Sequence, residues 1–339
     1  MKKISLRAAR TKLHKKTVLA IAWAIAVAVA ALIIFHFNPL DDPDTQRLKK
    51  ICGICLVLAG ILVFTIFYDK ITVLPKELFQ NRRLIWRLSK NDFKKRYAGS
   101  IFGGVWAMVQ PVITVIMYWF VFDRIFHQTQ VSQTTGEPIP YVLFLMGGMV
   151  PWFFFSDALT SGTSSLLEYN YLVKKVVFKI SVLPIIKIIA ALFTHVFFTF
   201  VVMIIAWIYG YTPSIYWLQL PYYTFACFIM VLGLCYATCA ITVYFRDLQQ
   251  IISIFLQVGM WTTPILWNIM MLEHSKFIIL IKMNPMTYIV NGFRGALYEQ
   301  QWFFEHFYSS TYFWIVTVLM FCIGSVIFKK LKVGFADVL

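Results

Sequence analysis

Long apolar runs separated by short polar connectors form the dominant pattern of the chain. Runs of about 20 residues are long enough to cross a hydrocarbon core of roughly 30 Å as helices. The runs are continuous rather than alternating, which favours helices over a β-barrel. The pattern therefore predicts an all-α polytopic membrane protein with eight transmembrane helices. Their predicted bounds are Thr17–Phe37, Ile51–Tyr68, Phe102–Ile125, Tyr141–Leu166, Ser181–Tyr209, Leu218–Tyr244, Ile251–Trp267 and Tyr312–Phe328.

The runs divide the chain into three predicted parts. Residues 1–68 form a basic N-terminus and a hairpin of two spans, whose plain composition indicates an anchoring or packing role. Residues 69–100 form a cytoplasmic amphipathic interface helix, with Phe79 and Trp86 toward the acyl boundary and the cations toward lipid headgroups. The alternative for this segment is simple topology signalling by its positive charge. Residues 101–339 form a six-span core.

Three of the core spans contain residues that point to protein contacts rather than lipid contacts. The fourth span is polar after Phe155, so we expect it to line a protein interface or an aqueous path, and its Asp157 has no evident partner. In the fifth span, we expect Lys187 to snorkel to the inner headgroups and His195 to bond a neighbouring helix. The sixth span carries a small-residue face suited to close helix packing, made of Gly233, Cys235, Ala237, Cys239 and Ala240.

The longest predicted outside segment, Asn268–Ser310, contains two apolar pieces too short to cross a membrane. They are Phe277–Ile281 and the stretch that begins at Asn284-Pro285. We expect two half-helices that re-enter the membrane from the outer face, sheltered by protein.

Charge then gives the orientation. The net charge is +16, and the cations concentrate in residues 2–16 and 70–96, whereas the connectors 127–140 and 210–219 hold no Lys or Arg. This is the positive-inside pattern, which places both termini in the cytoplasm. Because the cations follow topology rather than forming a groove, we expect no nucleic-acid partner.

The sequence contains no recognisable catalytic motif. There is no phosphate-binding glycine loop, no nucleophile elbow and no His, Asp or Glu cluster at metal-ligand spacing. The six cysteines lie in apolar runs and are predicted to act as small buried apolar residues, the CxxC of Cys52 and Cys55 included. The chain is thus predicted to be no enzyme, to bind no metal or cofactor itself and to be unable to hydrolyse ATP.

Aromatic residues are abundant instead, at 18% of the chain. Rings with polar edges suit sugar faces, although aromatic belts at lipid interfaces are a simpler explanation for any single ring. We expect some of them to line a transport path, and the candidates, with Asp157, are Tyr118, Trp119, Phe122, Trp152, Phe153 and Phe155.

A short basic connector, Glu168–Pro184, interrupts the apolar core on the inner side. Its Lys174, Lys175 and Lys179 alternate with apolar residues, which is typical of a helix lying on the membrane surface. We interpret it as the site on which a soluble partner acts, the alternative being an ordinary positively charged inside loop.

Five stretches, in order and over three quarters of the chain, resemble the permease subunits of ABC exporters for lipid-linked polysaccharides (including O-antigen) and wall teichoic acids. They are Asn91–Pro111 (NDFKKRYAGSIFGGVWAMVQP), Asn170–Pro184 (NYLVKKVVFKISVLP), Phe245–Trp267 (FRDLQQIISIFLQVGMWTTPILW), Asn284–Tyr298 (NPMTYIVNGFRGALY) and Phe335–Leu339 (FADVL). The hairpin of residues 17–68 departs from the six-span pattern of that family.

The resemblance implies a homodimer in the bacterial cytoplasmic membrane that works with two separate ABC ATPase subunits carrying ATP and Mg. It implies a coupling helix with Asn170, Tyr171, Leu172, Val173, Lys174, Lys175 and Phe178, and a tight inner turn at Arg246 and Asp247. It implies an inner gate helix, Arg82–Tyr97, in which Arg87, Lys94, Lys95, Arg96 and Tyr97 meet the headgroup of an undecaprenyl-type lipid carrier. It implies an outer gate with Asn284, Pro285, Tyr288 and Arg294.

Three other functions fit the same pattern. An exporter of a drug or a small lipid predicts that transport survives replacement of the ring clusters by Leu. An intramembrane glycan-transfer enzyme predicts turnover by the purified chain without any ATPase. A scaffold predicts that packed side chains fill the polar face of the fourth span.

Overall fold

The structure is a computed structural model that describes residues 2–35, 43–96, 103–132, 134–173, 179–272 and 275–338. Within these residues, seven helical stretches are long and apolar enough to cross a membrane. They are Lys15–Phe35, Gln46–Ile66, Gly103–Ile125, Tyr141–Glu168, Ile180–Ile208, Ile215–Tyr244 and Phe307–Gly334. The chain is a multi-pass helical membrane protein, as the hydropathy pattern predicts.

The helices follow one another in the order expected from the sequence. The N-terminal hairpin and inner helices are α1 (Lys2–Phe35), α2 (Pro43–Ile66), α3 (Tyr68–Ile71), α4 (Val73–Gln80) and α5 (Arg82–Arg96). The core is α6 (Trp106–Trp119), α7 (Tyr141–Glu168), α8 (Asn170–Val173), α9 (Leu183–Ile208), α10 (Leu220–Tyr244), α11 (Leu248–Thr262), α12 (Ile278–Met283), α13 (Pro285–Arg294), α14 (Phe307–Leu331) and α15 (Phe335–Val338). Phe120–Ile125 and Gly295–Glu299 continue α6 and α13 as π-helices. Short 3₁₀ turns occupy Gly103–Val105, Ile180–Val182, Ile215–Gln219, Ile269–Leu272 and Lys332–Gly334.

The seventh predicted span, Ile251–Trp267, corresponds to α11, which is only 15 residues long. Such a helix rises about 22 Å, less than the roughly 30 Å of a hydrocarbon core. It ends at Thr262, just before Pro264. The two predicted half-helices correspond to α12 and α13, of 6 and 10 residues. The count of eight and the re-entry of these two helices stay predictions.

Strands β1 (Gln130–Val131) and β2 (Pro138–Ile139) form a small antiparallel hairpin between α6 and α7 that the sequence pattern did not predict. Gln130 pairs with Ile139, and Val131 pairs with Pro138. With two residues each, these strands are too short to produce a recognisable alternation of apolar and polar residues.

Burial is distributed unevenly among the spans. In α7, 78% of the most apolar window is buried inside the chain, whereas none of the corresponding window of the span that contains α6 is buried. Helices α7, α9 and α10 therefore form the centre of the bundle, and α6 flanks it.

The predicted small-residue face of α10 packs against α14 at a point of very close approach. A Cβ atom on Gly324 would lie 2.2 Å from the carbonyl oxygen of Gly233, and one on Gly233 would lie 2.8 Å from the amide nitrogen of Phe321. Glycine at these two positions lets the backbones approach, as in other membrane helix pairs. The prediction of close packing by this face is confirmed.

The cysteines follow the prediction in part. Cys227, Cys235, Cys239 and Cys322 are buried, as expected for small apolar residues. Cys52 and Cys55 are exposed on the hairpin, so the prediction of burial is wrong for these two. The hairpin helix α2 packs on its partner α1 and on α14, which leaves its remaining face uncovered within the chain.

Candidate functional site

A cluster of charged side chains joins α5, α7 and α9 at the end of the bundle that carries the basic helices. We call Asp92, Arg96, Asp157, Glu168 and Lys187 the inner ion cluster, because the positive-inside pattern predicts that this end faces the cytoplasm. The Lys187 ammonium lies 2.8 Å from Asp92 Oδ1 and 2.6 Å from Glu168 Oε2, with only 5% of its side chain exposed. The expectation that Lys187 snorkels to headgroups is wrong, because two carboxylates inside the protein reach it first.

Arg96 forms the second half of the inner ion cluster. One guanidinium nitrogen donates to both carboxylate oxygens of Asp157 at 3.1 Å, and the other donates to the Ser161 hydroxyl at 3.0 Å. Arg96 Nε also lies 3.5 Å from Asp92. Asp157 therefore has a partner, contrary to the sequence expectation. Side chains of α5 cover part of the polar face of α7 predicted to avoid lipid.

Tyr169 links the inner ion cluster to the predicted coupling segment. Its hydroxyl donates to Asp92 Oδ1 at 2.5 Å, and the Lys187 ammonium lies 4.9 Å from the centre of its ring. Burial, and then the hydrogen bond to Asp92, raise the pKa of Tyr169, so its hydroxyl stays protonated and donates. Because α8 begins at the next residue, the start of the segment is fixed to α5 and α9.

The other end of the same segment is anchored as well. Ser181 donates to the Glu77 carboxylate of α4, and Lys179 lies 4.0 Å from the same carboxylate. The Tyr236 hydroxyl of α10 donates to the Ser181 carbonyl oxygen at 3.0 Å. Both ends of the stretch Asn170–Ser181 thus contact the helices of residues 73–96 as well as the core.

The structure describes only part of the predicted coupling residues. Asn170 and Tyr171 are exposed and Leu172 is half-buried. Val173 ends α8, and its side chain is not described. Lys174, Lys175 and Phe178 lie outside the described residues.

The predicted inner gate residues lie on the exposed side of α5. Arg87, Lys94 and Lys95 are exposed, and Tyr97 lies outside the described residues. The buried face of α5 consists of Ile85, Ser89 and Asp92, at a spacing of four and three residues. Arg96 differs from the other gate candidates because its charge is paired within the inner ion cluster. The role of these residues toward a carrier headgroup stays a prediction.

The predicted channel-lining rings lie around one side of α7. Trp152 and Phe155 are buried, with ring centres 5.6 Å apart, and Trp152 packs against Gly259 of α11. Phe153 is half-buried against Phe198, and Phe122 stacks on Tyr141 with centres 5.9 Å apart. Tyr118 and Trp119 are also half-buried. Apart from Phe153, which faces α9, the rings lie on the α6, α7 and α11 side of the bundle. Their contact with a cargo stays a prediction.

Two further sequence predictions concern single positions. Arg246 and Asp247 are exposed in the short turn between α10 and α11. His195 is buried in α9 and lies 2.9 Å from the Thr224 hydroxyl of α10, which confirms the predicted bond to a neighbouring helix.

The opposite end of the bundle, which the same charge pattern predicts to be the outer end, is organised around buried Arg294. Its guanidinium donates to the carbonyl oxygens of Pro264 at 2.6 Å, Ile265 at 2.8 Å and Phe144 at 3.3 Å. Its central carbon lies 3.6 Å from the centre of the Phe144 ring. Arg294 thereby holds the irregular segment after α11 against α7 and α13. It satisfies carbonyl groups that a broken helix leaves without intrahelical partners.

The other predicted outer-gate residues support the same region. Asn284 caps α13 by accepting from the Met286 amide at 3.0 Å and donates to Thr263 at 2.9 Å, while Pro285 occupies the first turn. The Tyr288 hydroxyl bonds Tyr222 at 3.0 Å and Ser310 at 3.1 Å. These contacts place the four predicted outer-gate residues in one connected unit.

Sequence reasoning missed four of the charged residues that hold these two ends together. Glu77 and Asp92 are the only carboxylates in the basic stretch 70–96, and that rarity was a usable signal. Glu168 was placed at the start of the connector without a partner. Glu299 accepts from the hydroxyls of Ser132 at 2.6 Å and Thr134 at 2.9 Å, contacts that depend on the unpredicted β-hairpin.

Among the described residues, no group of three or more His, Cys, Asp or Glu side chains is placed to hold a metal ion.

Comparison with known proteins places these features in a family context. The ABC-2 type transporter family matches residues 83–298, from α5 through the outer π-helix. An O-antigen export system permease protein RfbA from Klebsiella pneumoniae is 26% identical over 253 residues, covering 74% of this chain and 93% of the relative. An O-antigen export system permease protein RfbA from Myxococcus xanthus is 28% identical over 229 residues, covering 67% of this chain and 85% of the relative. The inner ion cluster, the ring cluster of α7 and Arg294 all fall inside the family match.

Proposed function

Because this chain belongs to the ABC-2 type transporter family, we propose that it is the membrane permease of an ATP-driven exporter. Its cargo is a lipid-linked cell-surface polysaccharide that crosses the bacterial cytoplasmic membrane. The observation that carries this proposal is the match to O-antigen export permeases over nearly their whole length. The chain acts as a transport subunit and not as an enzyme.

ATP and Mg bind to two separate ABC ATPase subunits in this proposal. Each ATPase presses on the coupling segment Asn170–Ser181 of one permease. Glu168 and Tyr169 before the segment, and Ser181 at its end, contact α4, α5, α9 and α10. Force applied to the segment is thereby passed to the amphipathic helices and to two spans at once.

The working unit is a homodimer. The span that contains α6 has no buried residue in its most apolar window, and α11 exposes Ile254, Phe255 and Trp261. Both helices flank the ring cluster of α7, so a second copy placed against them encloses a path lined by Tyr118, Trp119 and Phe122. Aromatic faces with polar edges suit a sugar chain moving along such a path.

The lipid carrier remains in the bilayer while the sugar chain passes between the two copies. The exposed cations Arg87, Lys94 and Lys95 of α5 attract the carrier pyrophosphate at the inner leaflet. Both chain termini then lie in the cytoplasm, consistent with the basic residues 2–16 and the last cations of α14.

Reconstitution tests the proposal. The permease is copurified with its ATPase from the native host, placed in proteoliposomes that contain the host's lipid-linked glycan, and supplied with ATP. We expect ATP-dependent movement of the glycan across the bilayer, and no movement with the permease alone. Movement of a wall teichoic acid precursor in place of a polysaccharide would show that the proposed cargo is wrong and that the export function is right. Turnover of glycan by the permease without any ATPase would overturn the transport assignment.

A further inference from the structure

A cavity of about 530 Å³ lies at the outer end of the bundle, opposite the inner ion cluster. Its volume falls within the range of small-molecule binding sites. Its walls come from the hairpin through Lys49, from α12 and α13 through Lys282 and Asn291, and from the start of α14 through Tyr308 and Tyr312. Tyr298 of the outer π-helix also lines it. The cavity is separate from the ring cluster of α7 described above.

Two polar groups in this outer cavity lack hydrogen-bond partners among the described residues. The Tyr298 hydroxyl is buried and unpaired, on a residue that is 6% exposed. The side-chain oxygen of Asn291 is also shielded from water and unpaired. Buried polar groups in proteins are almost always hydrogen-bonded, and leaving one unpaired is costly. Both groups therefore point to a ligand that supplies the missing partners.

The remaining lining defines the chemistry of that ligand. The rings of Tyr288 and Tyr312 offer flat apolar surface, and Asn291 and Tyr298 offer neutral hydrogen-bonding groups. Sugars combine ring faces with hydroxyl edges, which matches this mixture. The carboxylate of Glu299 also lines the cavity, but it already accepts hydrogen bonds from Ser132 and Thr134.

Charge refines the choice of sugar. Lys49 and Lys282 both line the cavity, and the Lys49 ammonium lies 5.5 Å from the centre of the Tyr308 ring. We propose that the outer cavity binds a sugar residue of the exported polysaccharide through Asn291 and Tyr298, with a preference for residues that carry a carboxylate or phosphate. This inference rests on the proposed function. It also gives the N-terminal hairpin, which lies outside the family match, a part in a binding site.

The test measures binding of a defined probe to the whole complex. The probe is the single repeating-unit oligosaccharide obtained by partial acid hydrolysis of the polysaccharide that copurifies with the complex, followed by separation by size. Binding to permease and ATPase in nanodiscs is followed by saturation-transfer difference NMR. We expect Tyr298→Phe and Asn291→Leu each to weaken binding about fivefold, the effect of losing one hydrogen bond. Tyr211→Phe is the matched control, since its ring centre lies 6.1 Å from that of Tyr298 but Tyr211 does not line the cavity.

Each outcome decides the proposal. Weaker binding in both cavity variants with an unchanged Tyr211→Phe variant supports it. No binding by the unsubstituted complex, or equal binding by all variants, overturns it. Displacement of the probe by glycerol phosphate but not by an excess of the monosaccharides of the repeating unit would assign the cavity to a lipid headgroup and also overturn it. ATP-driven glycan movement is measured in parallel: if movement occurs while the variants bind normally, the cavity assignment fails and the export function stands.

Discussion

The inner and outer ends of the bundle are each held by a buried cation, but the two cations bind different kinds of acceptor. At the inner end, Lys187 binds the carboxylates of Asp92 and Glu168. At the outer end, Arg294 binds backbone carbonyl oxygens of residues 144, 264 and 265. Carboxylates can be shared among neighbouring cations, whereas each carbonyl occupies a fixed place in the chain.

This difference gives the two ends different mechanical properties. In the inner ion cluster, three carboxylates face two cations, and Asp92 lies near both Lys187 and Arg96. Partners can therefore exchange when α5 moves relative to α7 and α9, without leaving a charge unpaired. At the outer end, moving Arg294 leaves carbonyl groups without donors. The inner end is suited to transmit a movement, and the outer end is suited to keep its shape.

The substitution with the largest expected effect is Lys187→Met. It leaves the buried Asp92 carboxylate without its closest cation, so we expect a loss of about 3 to 5 kcal/mol in the free energy of unfolding. Heating of the detergent-solubilised protein, followed by fluorescence-detected size exclusion, measures the loss. Adding Asp92→Asn to Lys187→Met removes the unpaired charge and should restore most of the stability. A double variant no more stable than Lys187→Met alone would contradict the pairing.

Arg294→Met comes next, with an expected loss of about 2 to 3 kcal/mol as buried carbonyl groups lose a charged donor. The same heating assay applies. Because the acceptors are backbone groups, no second neutralising substitution should restore stability, unlike at the inner end. Arg124→Met is the matched control, since Arg124 is exposed above Trp119 and should change stability by less than about 0.5 kcal/mol. Equal losses for both arginines would contradict the role of Arg294 in holding the segment after α11 against α7 and α13.

Asp157→Asn should have the smallest effect of the three. The Arg96–Asp157 pair is partly exposed, with 22% and 39% of the side chains accessible, so the expected loss is about 1 kcal/mol. Asparagine keeps one acceptor for the guanidinium, and Asp92 remains nearby. If the pair transmits movement, polymer export in cells should fall clearly although the free energy of unfolding changes little. A loss as large as that of Lys187→Met would show that the two halves of the inner ion cluster are equivalent.

The sequence predicts the parts of the fold that depend on local composition. Continuous apolar runs located the spans, and the small residues around Gly233 indicated the close contact with α14. The basic segment 69–100 is predicted as one amphipathic helix, but its described part forms three helices, α3, α4 and α5. Its buried face is not predicted, because the partner of Asp92, Lys187, lies 95 positions later. The partner of Asp157 was missed for the same reason, since 61 positions separate it from Arg96.

The outer end shows a second limit. Asn284 and Pro285 are local helix-start signals, and the sequence placed a helix there correctly. Pro264 is a local signal that α11 ends there. The bonds from Arg294 to the carbonyls of residues 264 and 265 span about 30 positions, and no local pattern predicts them. Glu299 depends on a two-residue strand pair that is too short to read from the sequence.

The central claim is that a partner ATPase acts through the short segment between α7 and α9. Its most direct test reverses two charges there, Lys174→Glu with Lys175→Glu, and measures copurification of the ATPase together with polymer export. A matched variant, Lys16→Glu with Lys330→Glu, reverses two exposed cations elsewhere on the same side of the bundle. The account predicts that the first variant reaches the membrane but loses ATPase binding and export, while the second keeps both. Unchanged ATPase binding and export in the first variant would contradict it.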